Sequence, residues 1–402
     1  MTAATAIDLS HARALPARLV PELPTADAEW LRLHPLAQKL SEEWEALAAD
    51  AAEPDIFTRR WFAQAGARHL APEHVRLLAV RRDGRLIGLM PVHQDGRYGR
   101  LPLRHSVNWV HYHCFLGAPL LRRGEEVAAW SAILAALDAD PDAGQLLHLT
   151  GLVEDGPVHR ALVEAAARAG RPCDTVHRIE RAMLASDLAP DAYYAAIVRK
   201  KKRKEIARLR TRLAEQGHLE TRRLAPDDAP DAWIEAFLAL EHAGWKGAAG
   251  SALAGTPQTR EFFREVVTEA HRAGQLDFLR LDLDGAPIAM LVNLLAAPGA
   301  FSFKTAYDER YARFSPGVLL QIENLQILAR GDIEWVDSCA VQNHPMIDSL
   351  WAQRRAIIRV TVPLAGRRRR LVFTAARALE RAAAALRGLR QRRSASTLED
   401  SE

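Results

Sequence analysis

Several polar residues in the second half of this 402-residue chain have the type and spacing for chemistry at a carbonyl group. Lys304 falls in the β-prone run Phe301 to Tyr307. Alternation there puts Ser302, Lys304 and Ala306 on one face of a strand and Phe301, Phe303, Thr305 and Tyr307 on the other. A lysine held inside a sheet can neutralise an oxyanion developing at its tip. The alternative is that it partners a buried carboxylate, for which Asp337 on the next expected strand is the candidate. Removing a proton from an attacking nucleophile needs a carboxylate or histidine close by, and Glu241, His242 and Asp337 are candidates. Ser315-Pro316-Gly317, with Arg313 just before it, lies between a strand and a helix. Ser315 reads as an N-cap and Pro316 as a first-turn residue, so free N–H groups and the helix dipole there make an anion site or simply begin a helix.

Two further groups could line a pocket. Ala239 to Gly247 ends a helix with Glu241, Trp245 and Lys246, and Gly247 to Gly250 must loop beyond it, either around an acceptor or as an ordinary packed helix end. His111 and His113 sit two apart on an expected strand, Val107 to Leu116. That spacing can ligate a metal, but no third ligand accompanies it, so the pair is expected to line a groove between lobes or to hydrogen-bond internally, with no metal. Ser338-Cys339 lacks an adjacent base, which argues against a covalent nucleophile. The three cysteines, Cys114, Cys173 and Cys339, form no Cys-x-x-Cys pair and suggest a reducing compartment.

The elements that must position these residues recur. Leu77 to Val92 and Phe278 to Val292 each read as a hairpin about an Asp-Gly turn, Asp83-Gly84 and Asp284-Gly285. Two helical stretches precede each hairpin, Leu36 to Ala49 and Thr58 to His69, then Ala232 to Gly244 and Thr259 to Ala273. A third strand follows each. In the second copy the chain continues as helix Pro316 to Arg330, strand Glu334 to Cys339, helix Met346 to Arg355 and strand Ile357 to Leu364. Hairpin-joined strands followed by strand-helix alternation imply an α/β fold with a mixed sheet.

That order of elements, duplicated, resembles the GNAT superfamily of N-acyltransferases, in its two-lobed FemAB-like and CelD/BioF2-like form. The words that carry the resemblance are Lys200-Lys-Lys-Arg-Lys-Glu-Ile-Ala-Arg-Leu-Arg210, Ala239-Leu-Glu-His-Ala-Gly-Trp-Lys-Gly247, Asp284-Gly-Ala-Pro-Ile-Ala289, Phe303-Lys-Thr-Ala-Tyr-Asp-Glu309 and Phe314-Ser-Pro-Gly-Val-Leu-Leu320. The resemblance implies tandem GNAT-like lobes. The divisions are an N-terminal extension (1–26), a degenerate lobe (27–188), a catalytic lobe (189–365), a basic amphipathic helix (366–393) and a disordered tail (394–402). It implies acyl-CoA as co-substrate, with its pyrophosphate at Arg313 and Ser315 to Gly317. Lys304 would serve the oxyanion, and the amine acceptor would sit near Trp245, Lys246, His111 and His113. The turn Arg310-Tyr-Ala-Arg-Phe-Ser-Pro-Gly317 departs from the usual Arg/Gln-x-x-Gly-x-Gly/Ala, which leaves an aminoacyl-tRNA donor, as FemAB-like enzymes use, open beside acyl-CoA. A non-catalytic scaffold of envelope biosynthesis is the third reading.

Bulk properties fit two soluble lobes: 49% hydrophobic and 26% charged residues with a net charge of +4. Charge is concentrated in two places. Arg199 to Arg212 holds nine Lys/Arg and one acid, interleaved with Ile206, Leu209 and Leu213 at helical spacing. It reads as a solvated face or a contact for an anionic substrate; no aromatic interleaving points to nucleic acid, and DNA is not an expected partner. Arg367 to Arg393 carries ten arginines and one acid, and is either an alanine-rich surface helix or a helix lying on an anionic membrane. No secretory signal or spanning segment is evident, so a cytoplasmic protein, peripheral at the inner membrane face if the basic helix binds lipid, is expected.

Overall fold

The computed structural model describes residues 26–71 and 74–399, and of residues 384 and 386–399 only the backbone. Nearly all of the expected 1–26 extension lies outside this range. The first lobe runs β1 (Asp27–Arg32), α1 (Gln38–Ala49), α2 (Arg60–His69), β2 (Arg76–Arg82), β3 (Arg85–Asp95), β4 (His105–Asn108), β5 (Leu120–Leu121), α3 (Glu126–Ala139), β6 (Leu146–Val153), α4 (Pro157–Arg168) and β7 (Asp174–Ala185). Two helices, α5 (Pro190–Ile197) and α6 (Lys200–Ala214), lead into the second lobe. This comprises β8 (Leu219–Arg223), α7 (Asp231–Ala243), α8 (Trp245–Ala248), α9 (Pro257–Arg272), β9 (Leu276–Leu283), β10 (Ala286–Ala296), β11 (Gly299–Tyr307), α10 (Pro316–Asn324), β12 (Trp335–Asp337) and β13 (Gln353–Pro363). A final helix, α11 (Arg367–Glu399), follows and continues past Arg393.

The two hairpins match in detail. Asp83 and Asp284 both have φ 51°, and Gly84 and Gly285 have φ 75° and 79°. Two successive left-handed residues match the right-handed twist of the flanking strands, and an Asp-Gly pair adopts them at little cost. Each lobe repeats the same pairings: an antiparallel edge strand (β1, β8), the hairpin, a fourth strand (β4, β11), and a parallel neighbour reached by a crossover helix (β6, β12).

The last strands are exchanged. β13, from the end of the second lobe, pairs with β6 of the first, while β7 of the first lobe pairs with β12 of the second, and β7 and β13 pair with each other. One continuous sheet therefore runs β1-β2-β3-β4-β6-β13-β7-β12-β11-β10-β9-β8, with β5 beside β3. A buried ion cluster sits at the exchange: Asp337 of β12 meets Arg181 of β7 at 2.7 Å and Arg355 of β13 at 3.3 Å. Its carboxylate also accepts the Cys339 N–H at 2.9 Å.

Three local expectations change. The strand expected over 107–116 ends at Asn108, so His111 and His113 lie on a loop. The helix expected over Met346 to Arg355 is a single tight turn, Ile347–Ser349, after which β13 begins at Gln353. The helix expected over Pro316 to Arg330 is α10 followed by a tighter 3₁₀ stretch, Leu325–Ala329.

Candidate active site

The register of β11 decides where Lys304 points. Opposite β10, Ser302 pairs with Asn293 and Lys304 with Val292, so Phe303 is an extra residue and the strand bulges between them. A bulge re-aims the side chain that follows it. Phe301, Phe303 and Ala306 belong to the apolar core shared with α7 and α9. Lys304 contacts that side too, in place of the simple alternation expected from sequence. The bulge thus delivers a charged amine into an aromatic layer to which both lobes contribute.

In that layer the Lys304 Nζ is 3.1 Å from Nδ1 of His113 in the first lobe. It also lies 5.2 Å and 5.3 Å from the ring centres of Phe303 and Phe115. Ring faces attract a cation, and a neutral imidazole nitrogen accepts its proton. Burial, then the charge of Lys246, lowers the Lys304 pKa to about 8. His113 is only 4% exposed and stacks on Phe262, and burial together with Lys304 pushes its pKa down to about 3. It is therefore neutral. An ammonium only donates, so Nδ1 is the acceptor and the ring proton is assigned to Nε2. His111 stacks on Phe62, its Nδ1 accepts the His113 N–H at 3.3 Å, and burial lowers its pKa to about 3 as well.

The alternative pairing of Lys304 with Asp337 does not occur. Asp337 has its two arginines and a backbone N–H, and His113 takes its place beside the lysine. Glu241 is buried and bound on both oxygens, by Lys246 Nζ at 2.7 Å and by the Leu253 N–H at 2.8 Å. Lys246 also reaches the Thr305 carbonyl of β11, at 3.2 Å. The chain can place Lys246 there because Gly247 packs against the His242 carbonyl, where a Cβ would come within 1.8 Å of the oxygen. His242 and Trp245 face outward, while the Trp245 N–H is held by Glu309 at 2.6 Å.

Beyond this cluster the strands part. β11 pairs with β12 only over Gly299 to Phe301, and Cys339, at φ 52°, turns the chain away after β12. The edge of β11 from Ser302 to Tyr307 is left without a strand partner on that side, although its other edge remains paired with β10. At the far end of this edge is the start of α10. Ser315 does not cap it as expected: the residue is left-handed (φ 53°, ψ 53°) and its hydroxyl makes no capping bond. A non-glycine residue in that conformation costs on the order of 1–3 kcal/mol. The Val318 and Leu319 N–H groups both go to the Ser315 carbonyl, so among the described residues the Gly317 N–H remains unpaired. Arg313 is exposed beside it, its guanidinium 4.7 Å from the Phe314 ring centre.

The corresponding parting of β4 and β6 in the first lobe is filled by protein. Asn108 Nδ2 donates to the Gly117 and Thr150 carbonyls at 2.5 and 2.9 Å, and Asn108 Oδ1 accepts the Thr150 N–H at 2.9 Å. Gly117 is pressed so close that a Cβ would fall 2.2 Å from the Thr150 oxygen. The aromatic wall of Phe115, Phe262 and Phe303, and the arginines that hold Asp337, carry no local sequence signal, because each matters only through a partner distant in the chain. Among the described residues no group of three or more metal-ligating side chains gathers.

Comparison with known proteins bears on the second lobe. The family model described as an acetyltransferase (GNAT) domain matches residues 200–344. The solved structure of FemX superposes at a TM-score of 0.54 with 11% identity, over 83% of this chain and 96% of that one. A conserved protein of unknown function from Bacteroides thetaiotaomicron gives 0.47 at 12% identity, over 81% and 97% of the two chains. A tandem GNAT protein from the clavulanic acid biosynthesis pathway gives 0.42 at 17% identity, over 85% and 99%. No curated protein matches the chain in sequence.

Proposed function

We propose that this chain, whose residues 200–344 match the acetyltransferase (GNAT) domain model, moves an acyl group from acyl-CoA to a primary amine by direct attack. The observation that carries this reading is the combination of Lys304 with the free edge of β11. The amides of a pantetheine arm can pair with that edge as an added strand, and its pyrophosphate then falls at the Gly317 N–H and Arg313.

With the thioester carbonyl beside Lys304, the amine nitrogen attacks carbon and the carbonyl oxygen becomes an oxyanion. The Lys304 ammonium stabilises it, held by a neutral histidine that does not compete for positive charge. Collapse breaks the carbon–sulfur bond. The amide forms and the amine's proton ends on the departing thiol, so each turnover yields one amide and one free CoA thiol. Asp337 and Glu241 are fully engaged by cationic and N–H partners and serve to hold the site. The amine, whether a sugar amine, a lipid amine such as a sphingoid base or an amino acid used in polysaccharide or lipid biosynthesis, enters between the lobes past the His111–His113 loop. The filled fork of the first lobe supports donor binding in the second lobe.

A specific observation favours a second donor. On α6, Lys200, Lys201, Lys204 and Arg212 are exposed and have no carboxylate partner among the described residues, and such a surface suits an aminoacyl-tRNA. Calorimetric titration with acyl-CoA, followed by thiol release over a panel of amines, tests the first reading. It fails if acyl-CoA neither binds nor yields thiol while the protein binds tRNA in a salt-dependent manner.

A further inference from the structure

We propose that the outward face of α11, with the neighbouring turn at Arg97 to Leu101, seats the protein on a bilayer surface rich in anionic phospholipid. One side of the helix is already satisfied by protein. Phe373 and Ala376 pack on Tyr98 and Leu146, Arg377 meets Asp174 at 3.0 Å, and Arg369 donates to the Asp138 carbonyl at 3.1 Å. Glu380 accepts from the Tyr98 hydroxyl at 3.2 Å. These contacts fix which face looks outward.

That outward face combines two features that no soluble surface rewards together. Leu371 and Leu379 are 72% and 58% exposed. Arg367, Arg368 and Arg370 are exposed with no carboxylate partner among the described residues, and they stand at the helix N-terminus, where the dipole opposes cations. Arg97 and Arg100 on the adjacent turn are exposed and unpaired in the same sense. Between turn and helix lies an open trough of about 640 Å³, lined by Leu101, Val176, Leu379 and Ala383 together with Arg100, Arg381, which is paired with Asp174, and Glu380, whose charge Arg377 neutralises. Apolar side chains beside unpaired arginines match a lipid, its chain on the one and its phosphate on the other. Nucleic acid would pair with the arginines but return nothing for exposed leucines. No described helix is long and apolar enough to cross a membrane, so the contact is one of lying on the surface.

This contact is independent of the acyl-transfer reading and is tested on the full chain by co-sedimentation. Vesicles of phosphatidylcholine alone are compared with vesicles containing about one-third phosphatidylglycerol. The protein is expected to pellet only with the latter, and less at high salt. Arg367, Arg368 and Arg370 changed together to Gln should weaken binding about a hundredfold, at roughly fivefold per arginine. Leu371→Ser with Leu379→Ser should weaken it at constant charge. All five positions are solvent-facing, and a circular dichroism melt checks that the variants fold. Failure to bind phosphatidylglycerol vesicles, indifference to the arginine changes, or loss of RNA binding rather than vesicle binding in the arginine variant would each overturn the proposal.

Discussion

Lys304 of the second lobe and His113 of the first share a hydrogen bond of 3.1 Å, so the candidate catalytic amine is held by a ring from the other half of the molecule. The bond has a direction. His113 is kept neutral by burial, and the proton resides on the lysine, whose pKa burial has brought to about 8.

The first consequence is a pH profile. With an acceptor amine that deprotonates below pH 8, the turnover rate should rise to a maximum and then fall about tenfold per pH unit once Lys304 loses its proton above pH 8. A rate that stays level to pH 10 would show that the ammonium is not used.

Changing His113→Phe keeps the site dry while removing the acceptor that favours the charged amine. A charge-assisted hydrogen bond contributes about 1.5–3 kcal/mol, so the alkaline limb should move down by about one to two pH units. A limb that stays in place or moves up would separate the histidine from the lysine's protonation.

Asp337 is expected to matter for folding more than for chemistry. Asp337→Asn leaves Arg181 and Arg355 buried without their counter-charge, and breaking such a cluster costs about 3–5 kcal/mol. Urea denaturation measures the loss. Activity per folded molecule should be nearly unchanged.

Asp55 caps a short turn in the first lobe, accepting the Phe57 N–H on one oxygen while the other is buried without a partner. Burial raises its pKa from 3.8 to about 7. The folded chain therefore holds this proton more tightly than the unfolded one, and the associated stability, up to about 4 kcal/mol, is present below pH 4 and lost as pH rises through 7. Asp55→Asn should flatten that slope and be the more stable protein at pH 8, as read from melts across pH.

What could be read in the sequence was local. Both Asp-Gly hairpins, the helices before them, and Lys304 on its strand were legible because turn chemistry and periodicity act over a few residues. The direction of Lys304 was not, because the bulge at Phe303 exists only in the register against Val292 and Asn293. The end of β4 escaped for a similar reason: Asn108 bonds across to Thr150 and Gly117, and the apolar run beyond it gives no sign of that stop. The exchange of β7 and β13 is a long-range pairing that either lobe's pattern would satisfy at home. The alternative in which Asp337 pairs with Lys304 fails because its partners, Arg181 and Arg355, arrive on those exchanged strands.

The most direct test of the account is thiol release from acyl-CoA in the presence of an accepted amine, compared between the native chain and Lys304→Met. The native protein should release one thiol per amide formed. Lys304→Met should bind acyl-CoA with similar affinity but turn over about 10²–10³-fold more slowly, the cost of losing one oxyanion donor. Turnover by Lys304→Met equal to that of the native protein would contradict the assignment.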